Sequence, residues 1–206
     1  MDIGDFQRRL DEIRAWRKLE LSNARMLAEN HESGNEVSYL CRAWTMMIYA
    51  HCDQSLKLIA KEYLSFLKEH PRSDYDYNTV WLCFFGKEAI RHISDNRYGL
   101  VGSETVEAKD RFISNIGGRE VFDSANFSYK LLRFFTDWIL QVSFDCGNYK
   151  AFCKTLKEKR DAIAHGEEIR IQRVEDCISW HDPAISMIDS LADASIDAAL
   201  RHDVTT

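Results

Sequence analysis

Hydrophobic residues recur every three or four positions through most of the chain, which is the period of an amphipathic α-helix. A first helix is predicted from the N-terminus to about Asn30. Its apolar positions are Ile3, Phe6, Leu10, Ile13 and Trp16. A second helix is predicted between the polar break HESGNE and His70, because the residue before Pro71 avoids helical geometry. Its apolar face carries Val37, Leu40, Cys41, Trp44, Ile48, His51 and Ile59.

The C-terminal third of the chain shows the same period. One helix is predicted over 127–144 and another over 149–165. Gly166 should end the second of these, because glycine adopts left-handed backbone geometry at little steric cost. A last helix is expected over 174–201, in which Pro183 should produce a kink or a split.

Residues 71–126 fit no single regular pattern. The stretch TVWLCFFGKEAIRHI is apolar enough for a short buried helix, and another short helix is predicted near 103–116. We therefore predict an all-α fold, with one domain over 1–206 built as a helical bundle and an irregular insertion at about 71–126. Two prolines and nine glycines in 206 residues leave room for long helices, because both residue types interrupt them.

Composition limits the classes of function. The formal net charge is −6, whereas a protein that coats nucleic acid without sequence preference is usually basic. Contact with nucleic acid must therefore be local, and the window 150–160 carries five basic residues against one acidic residue. No apolar run approaches the roughly 20 residues that span a bilayer, and no apolar signal core opens the sequence. A cytoplasmic protein without membrane contact is expected, and its six scattered cysteines are expected to be reduced core thiols.

The candidate chemistry lies in KEKRDAIAHG, residues 157–166. Arg160 falls within the apolar stripe of its helix, so its charge must find a partner or line a cleft or an interface. Asp161 and His165 lie one turn apart on one face, where a carboxylate orients an imidazole and raises its pKa. Arg160 and His165 are about 140° apart around a regular helix. Unwinding at Gly166, or a second copy of the chain, would help the two side chains converge.

The motif RDAIAHG, late in a helical chain and before a final helix, resembles the R-x4–6-H motif of the HEPN superfamily (higher eukaryote and prokaryote nucleotide-binding domains). The segment IYAHCDQSLKLIAKEYLSFL, 48–67, resembles the early helix of bacterial HEPN families of the MAE type, and VEDCISWHDPAISMIDSLADASIDAAL resembles their final helix. The resemblance covers about 36–70 and 127–201. The chain departs from those families at Asp53, where they usually carry glutamate, at Cys52, where they carry an aromatic residue, and at Pro183.

This resemblance implies a metal-independent endoribonuclease without a cofactor, often a toxin or an anti-phage effector. Arg160 would hold the scissile phosphate, His165 would transfer the proton of the 2′-hydroxyl or of the leaving 5′-oxygen, and Asp161 would orient either of them. The products would be a 2′,3′-cyclic phosphate and a 5′-hydroxyl. Family members usually pair two such helices, so the resemblance also implies a homodimer whose interface forms the site and covers part of the stripe around Arg160.

Four further residues are candidates for supporting roles. Asp53 is one through the resemblance, and His51 is another, although a core histidine with satisfied hydrogen bonds is the simpler interpretation of its apolar position. Lys157 and Lys159 are expected to steer RNA, or simply to be solvated. An antitoxin or another regulatory protein is an expected partner, and no metal site is predicted. The alternative from another class is a non-catalytic HEPN-like module that binds a nucleotide or a protein.

Overall fold

The computed structural model describes residues 1–31, 35–71, 74–77, 126–167, 171 and 173–201. Its α-helices are α1 (Ile3–Glu29), α2 (Asn35–Glu69), α3 (Tyr129–Arg133), α4 (Lys150–Ala164) and α5 (Val174–Leu200). A π-helix (Phe134–Leu140) continues α3, and a 3₁₀-helix (Cys146–Tyr149) leads into α4. No β-strand occurs in these ranges, and the predicted all-α fold is confirmed.

The first two helices begin and end close to where the sequence pattern predicts. Asp2 caps α1, because its side chain accepts a hydrogen bond from the amide of Asp5 at 2.7 Å. The helix α2 ends at Glu69, directly before the His-Pro pair that was expected to stop it. The helix α2 buries its predicted apolar face, but α1 does so only in part: Phe6 and Leu10 are buried, whereas Trp16 is 51% exposed and Arg17 is buried beside it.

The core of the described chain is formed by α1, α2 and α5, which pack against one another, while α4 lies against α2. Trp44 of α2 is 1% exposed and meets the ring of His181 of α5 edge to face at 5.4 Å. Burial of each large apolar side chain contributes about 1.5–3 kcal/mol, so this core holds the long helix α2 in place. The helix α4 is thereby docked along one side of α2, with its C-terminal end at the surface.

The prediction of one helix over 127–144 is wrong. The α-helical part ends at Arg133, and the wider π-helix ends before Gln141, which adopts the left-handed conformation with φ of 53°. The Thr136 hydroxyl donates to the carbonyl oxygens of Leu132 at 3.2 Å and of Arg133 at 3.3 Å. Such bonds compete for the acceptors of the regular helix, which favours a local change of pitch.

Both ends of the link between α4 and α5 are as predicted. Gly166 has a φ of +72°, and its amide donates to Ile163 at 3.1 Å while the amide of Glu167 donates to Ala162 at 3.0 Å. This pair of bonds is the Schellman motif, which satisfies the last carbonyl groups of the helix. The helix α5 then runs through Pro183 without a break, so a split at that position is not found.

The predicted insertion at 71–126 lies almost entirely outside the described residues, together with its two short helices and most of the link after Gly166. None of the described helices combines the length and the hydrophobicity that crossing a membrane requires.

Five cysteines lie within the described residues, and all of them are buried free thiols: Cys41, Cys52, Cys146, Cys153 and Cys177. Burial raises the pKa of Cys153 and of Cys177 to about 12. It also raises the pKa of Cys52 well above its ordinary value. These thiols behave as small apolar core residues, in line with the interpretation of the sequence.

Candidate functional site

Arg160 lies on the side of α4 that faces α2, where two groups of the same chain meet it. Its guanidinium carbon is 4.6 Å from the centroid of the Tyr49 ring, and its Nη1 donates to Oδ1 of Asp161 at 2.7 Å. A cation over an aromatic face is attracted by the quadrupole of the ring. The arginine within an apolar stripe therefore has partners in one chain, and a subunit contact is not required to explain it.

Asp161 joins two cations of α4. Its carboxylate accepts from Nζ of Lys157 at 2.9 Å as well as from Arg160. The hydrogen bond from Lys157, followed by that from Arg160, lowers the pKa of Asp161. The carboxylate is therefore ionised at neutral pH, and its charge-assisted hydrogen bond restrains Arg160.

His165 is the C-terminal cap residue of α4 and is exposed. Its backbone amide donates to the carbonyl oxygen of Asp161 at 2.9 Å. Its imidazole makes no hydrogen bond with any group in the part of the chain that the structure describes, including the carboxylate of Asp161. The geometry thus pairs Asp161 with Arg160, the second of the two partners that the sequence left open.

The helix remains regular through Ala164, so the side chains of Arg160 and His165 leave it in directions about 140° apart. One chain brings a candidate anion-binding group and a candidate proton-transfer group to the same helix end. It does not aim both at one point.

Tyr49 is the residue of this site that the sequence analysis missed. It is 5% exposed, and its hydroxyl donates to the carbonyl oxygen of Phe127 at 3.2 Å. Burial raises the pKa of Tyr49, with Arg160 acting in the opposite direction. The tyrosine belongs to the segment 48–67 that resembles the early HEPN helix, but the sequence analysis gave it no role, because only the docking of α2 against α4 brings it to the arginine.

Asp53 lies one turn beyond Tyr49, on the same side of α2. Its Oδ2 accepts from Nζ of Lys57 at 2.8 Å, and its side chain is 14% exposed. Its Oδ1 is buried without a hydrogen-bond partner in the described chain. Since its charge also acts on the pKa of Tyr49, the structure brings Asp53 into the neighbourhood of the Arg160 group. A buried carboxylate oxygen without a partner is costly, which makes it a ready acceptor.

The structure does not bring His51 to this group. Its Nδ1 accepts from Arg17 at 2.9 Å, and its Nε2 lies 2.9 Å from a carboxylate oxygen of Glu20, so both ring nitrogens are taken by α1. Burial, and then the charge of Arg17, lowers the pKa of His51. His51 is a neutral core histidine between α1 and α2, two residues away from Asp53 and therefore on a different side of the helix.

The basic residues of α4 are not equivalent. Lys157 is bound to Asp161, and Lys154 is 77% exposed with Glu158 at 3.9 Å. Lys159 forms no ion pair within the described ranges. Of the two lysines that were expected to contact RNA, Lys159 is thus the one whose charge remains available.

A family model described as HEPN_MAE_28990-like HEPN matches residues 6–203. The match includes α1 and the segment 71–126, which the resemblance seen in the sequence did not cover. No curated protein and no solved structure matches the chain.

Proposed function

Because the chain belongs to the MAE_28990-like family of the HEPN superfamily, we propose that it is a metal-independent endoribonuclease in which Arg160 and His165 are the reacting groups. The observation that supports this proposal most strongly is the way in which the Arg160 side chain is held. The arginine is held between an aromatic ring and a carboxylate, with its side chain 29% exposed, at the same helix end as an imidazole that no described group engages.

Arg160 binds the scissile phosphate in this proposal. A guanidinium has five N–H donors, and one hydrogen bond of the side chain is accounted for, to Asp161. The remaining donors suit two phosphate oxygens, because the planar fork of arginine matches the geometry of a phosphate. As the 2′-oxygen attacks phosphorus, negative charge grows on those oxygens, and a cation already in place stabilises the transition state without reorganisation.

His165 moves the protons. The 2′-hydroxyl loses its proton as its oxygen bonds to phosphorus, and the 5′-oxygen gains a proton as the P–O5′ bond breaks. Two proton transfers at two separate oxygens call for a base and an acid, whereas one imidazole serves as only one of these at a time. A homodimer that places two copies of α4 side by side supplies two imidazoles, and also allows Arg160 of one copy to act with His165 of the other.

RNA approaches along the exposed basic side of α4 in this proposal, where Lys159 pairs with no group of the described chain and Lys157 holds Asp161. Such an activity is harmful to the cell that makes it, so a toxin or an anti-phage effector under the control of an antitoxin or another regulatory protein is the biological role we propose. Expression of the protein should then slow growth, and His165→Ala should relieve this without lowering the amount of folded protein.

A binding module is the second candidate, and one observation favours it. The Asp161 carboxylate is occupied by Lys157 and Arg160, so no carboxylate of the described chain orients the imidazole of His165. In that case Arg160 and Lys159 would bind the phosphates of RNA or of a nucleotide without cleavage.

The experiment that separates these functions is RNA cleavage by the purified protein in EDTA, with analysis of the product ends. Wild type should release 2′,3′-cyclic phosphate and 5′-hydroxyl ends, and Arg160→Ala and His165→Ala should each abolish cleavage while the protein remains folded. The chain offers a matched control in Arg25 and His31, an arginine and a histidine six residues apart at the end of α1. Arg25→Ala and His31→Ala should leave cleavage intact. Binding of RNA without any cleavage would favour the second candidate.

A further inference from the structure

Tyr49 is built into the protein as a rigid support for Arg160. Its hydroxyl is bound to the carbonyl oxygen of Phe127 at 3.2 Å, and its ring meets the Phe127 ring edge to face at 5.8 Å. Both tyrosine and phenylalanine are buried, with exposed fractions of 5% and 0%. The tyrosine ring is therefore fixed at its hydroxyl end and at its edge, before any ligand is present.

Arg160 has two different contacts. Its guanidinium carbon lies over the Tyr49 ring, 4.6 Å from the ring centroid. Its Nη1 donates to the Asp161 carboxylate at 2.7 Å. An aromatic ring attracts a cation through its quadrupole and offers no oxygen acceptor, so it leaves the N–H groups that do not bond Asp161 to an anion. A carboxylate in the place of the ring would instead compete with a phosphate for those donors.

A second carboxylate also lies in the neighbourhood of Tyr49. Asp53, one turn further along α2, has a buried oxygen without a hydrogen-bond partner, and its charge acts on the Tyr49 side chain together with those of Arg160 and Asp161. The ring attracts the guanidinium, and without the ring the carboxylates of Asp161 and Asp53 would be the groups that compete with a phosphate for it.

We propose that Tyr49 is a positioning residue for RNA cleavage, whose aromatic ring holds Arg160 in the orientation that binds the scissile phosphate. This inference rests on the proposed ribonuclease function. It concerns the ring and not the hydroxyl, because the hydroxyl is directed to the backbone of Phe127. The residue acts through Arg160 and touches no reacting atom.

The test compares Tyr49→Leu and Tyr49→Phe in single-turnover cleavage at saturating RNA. Tyr49→Leu removes the ring and should lower the cleavage rate roughly 3- to 30-fold, the range expected for a partly desolvated cation–π contact. Tyr49→Phe keeps the ring and should cleave within about 2-fold of wild type. The matched control is Tyr75→Leu, because Tyr75 is also 5% exposed and its hydroxyl also donates to a backbone carbonyl, that of Ile139 at 2.6 Å. This control should be destabilised to a similar extent and still cleave normally.

The outcomes decide whether the Tyr49 ring positions Arg160. A slow Leu variant that Phe restores, with normal cleavage by folded Tyr75→Leu, supports the proposal. Equal loss in the Leu and Phe variants, or no loss in either, overturns it. If wild type cleaves no RNA, the proposed ribonuclease function has failed, and the same variants are then compared for RNA binding. Weaker binding by Tyr49→Leu that Tyr49→Phe restores still supports a positioning role for the ring, and unchanged binding overturns it.

Discussion

Replacing Asp161 with asparagine tests which of its two neighbours the carboxylate serves. Asp161→Asn keeps the size of the side chain and removes its charge, so the bonds from Arg160 at 2.7 Å and from Lys157 at 2.9 Å lose their charge assistance. Both partners are partly exposed, and pairs of this kind contribute about 0.2–1 kcal/mol each. The two bonds together correspond to roughly 0.4–2 kcal/mol, which is about a 2- to 30-fold loss of cleavage rate if all of it goes into placing Arg160.

The assay is the cleavage rate of Asp161→Asn against wild type from pH 5 to pH 8, beside the free energy of unfolding. The hydrogen bonds of Asp161 lower its pKa in the folded protein. The ionised carboxylate therefore contributes its full stabilisation above the unfolded-state pKa, and this stabilisation is lost only as the pH falls through the lower folded-state pKa. It is thus ionised throughout the assay range, and the ratio of the two rates should not change with pH. A shift in the pH midpoint of cleavage would refute the reasoning, because it would show that Asp161 acts on the imidazole of His165.

Three further predictions concern other parts of the chain. Burial, and then the charge of Arg17, lowers the pKa of His51 in the folded protein, so the unfolded state binds more protons. The free energy of unfolding should therefore fall as the pH drops through about 6.5. Urea unfolding between pH 7 and pH 5 should show a smaller fall for His51→Gln than for wild type. Gly166→Ala should lower the free energy of unfolding by about 1 kcal/mol, because φ is +72°; no atom lies within 4 Å of an added Cβ, so this cost comes from the backbone conformation alone. Gly166→Asn should cost less, because asparagine tolerates this conformation better. Equal losses in the two variants would show that the left-handed backbone is not the cause. Lys159→Gln should weaken RNA binding and reduce the slope of log affinity against log salt by roughly 0.7, and an unchanged slope in a binding titration would exclude a phosphate contact.

Periodicity predicted where the long helices begin and end, although it placed Trp16 on the buried face of α1 and that side chain is exposed. The bounds of α1, α2, α4 and α5 all follow from apolar spacing together with local stop signals such as Gly166 and the His-Pro pair after α2. The segment 127–144 could not be predicted in the same way. The π-helix Phe134–Leu140 has fewer than two turns, which is too short to show an apolar period of its own. Its wider pitch is favoured by the carbonyl groups that the Thr136 hydroxyl binds.

The candidate site shows a similar limit. Arg160 and its neighbours on α4 were found from their own sequence, because their relation is set by the geometry of one helix. Tyr49 was not found, since the register between α2 and α4 depends on tertiary packing that no local pattern encodes. The assignment of Asp161 to Arg160 instead of His165 depends on a side-chain rotamer and on the competing cation of Lys157.

The buried cysteines allow unfolding of the protein to be followed by thiol labelling. A thiol reacts as its thiolate, and with a pKa of about 12 the thiols of Cys153 and Cys177 hold almost no thiolate at neutral pH. Burial also denies these sulfur atoms contact with a reagent in solution. The rate at which a maleimide labels these two positions therefore measures how often the helices separate, without an engineered cysteine and in the same samples that are assayed for cleavage.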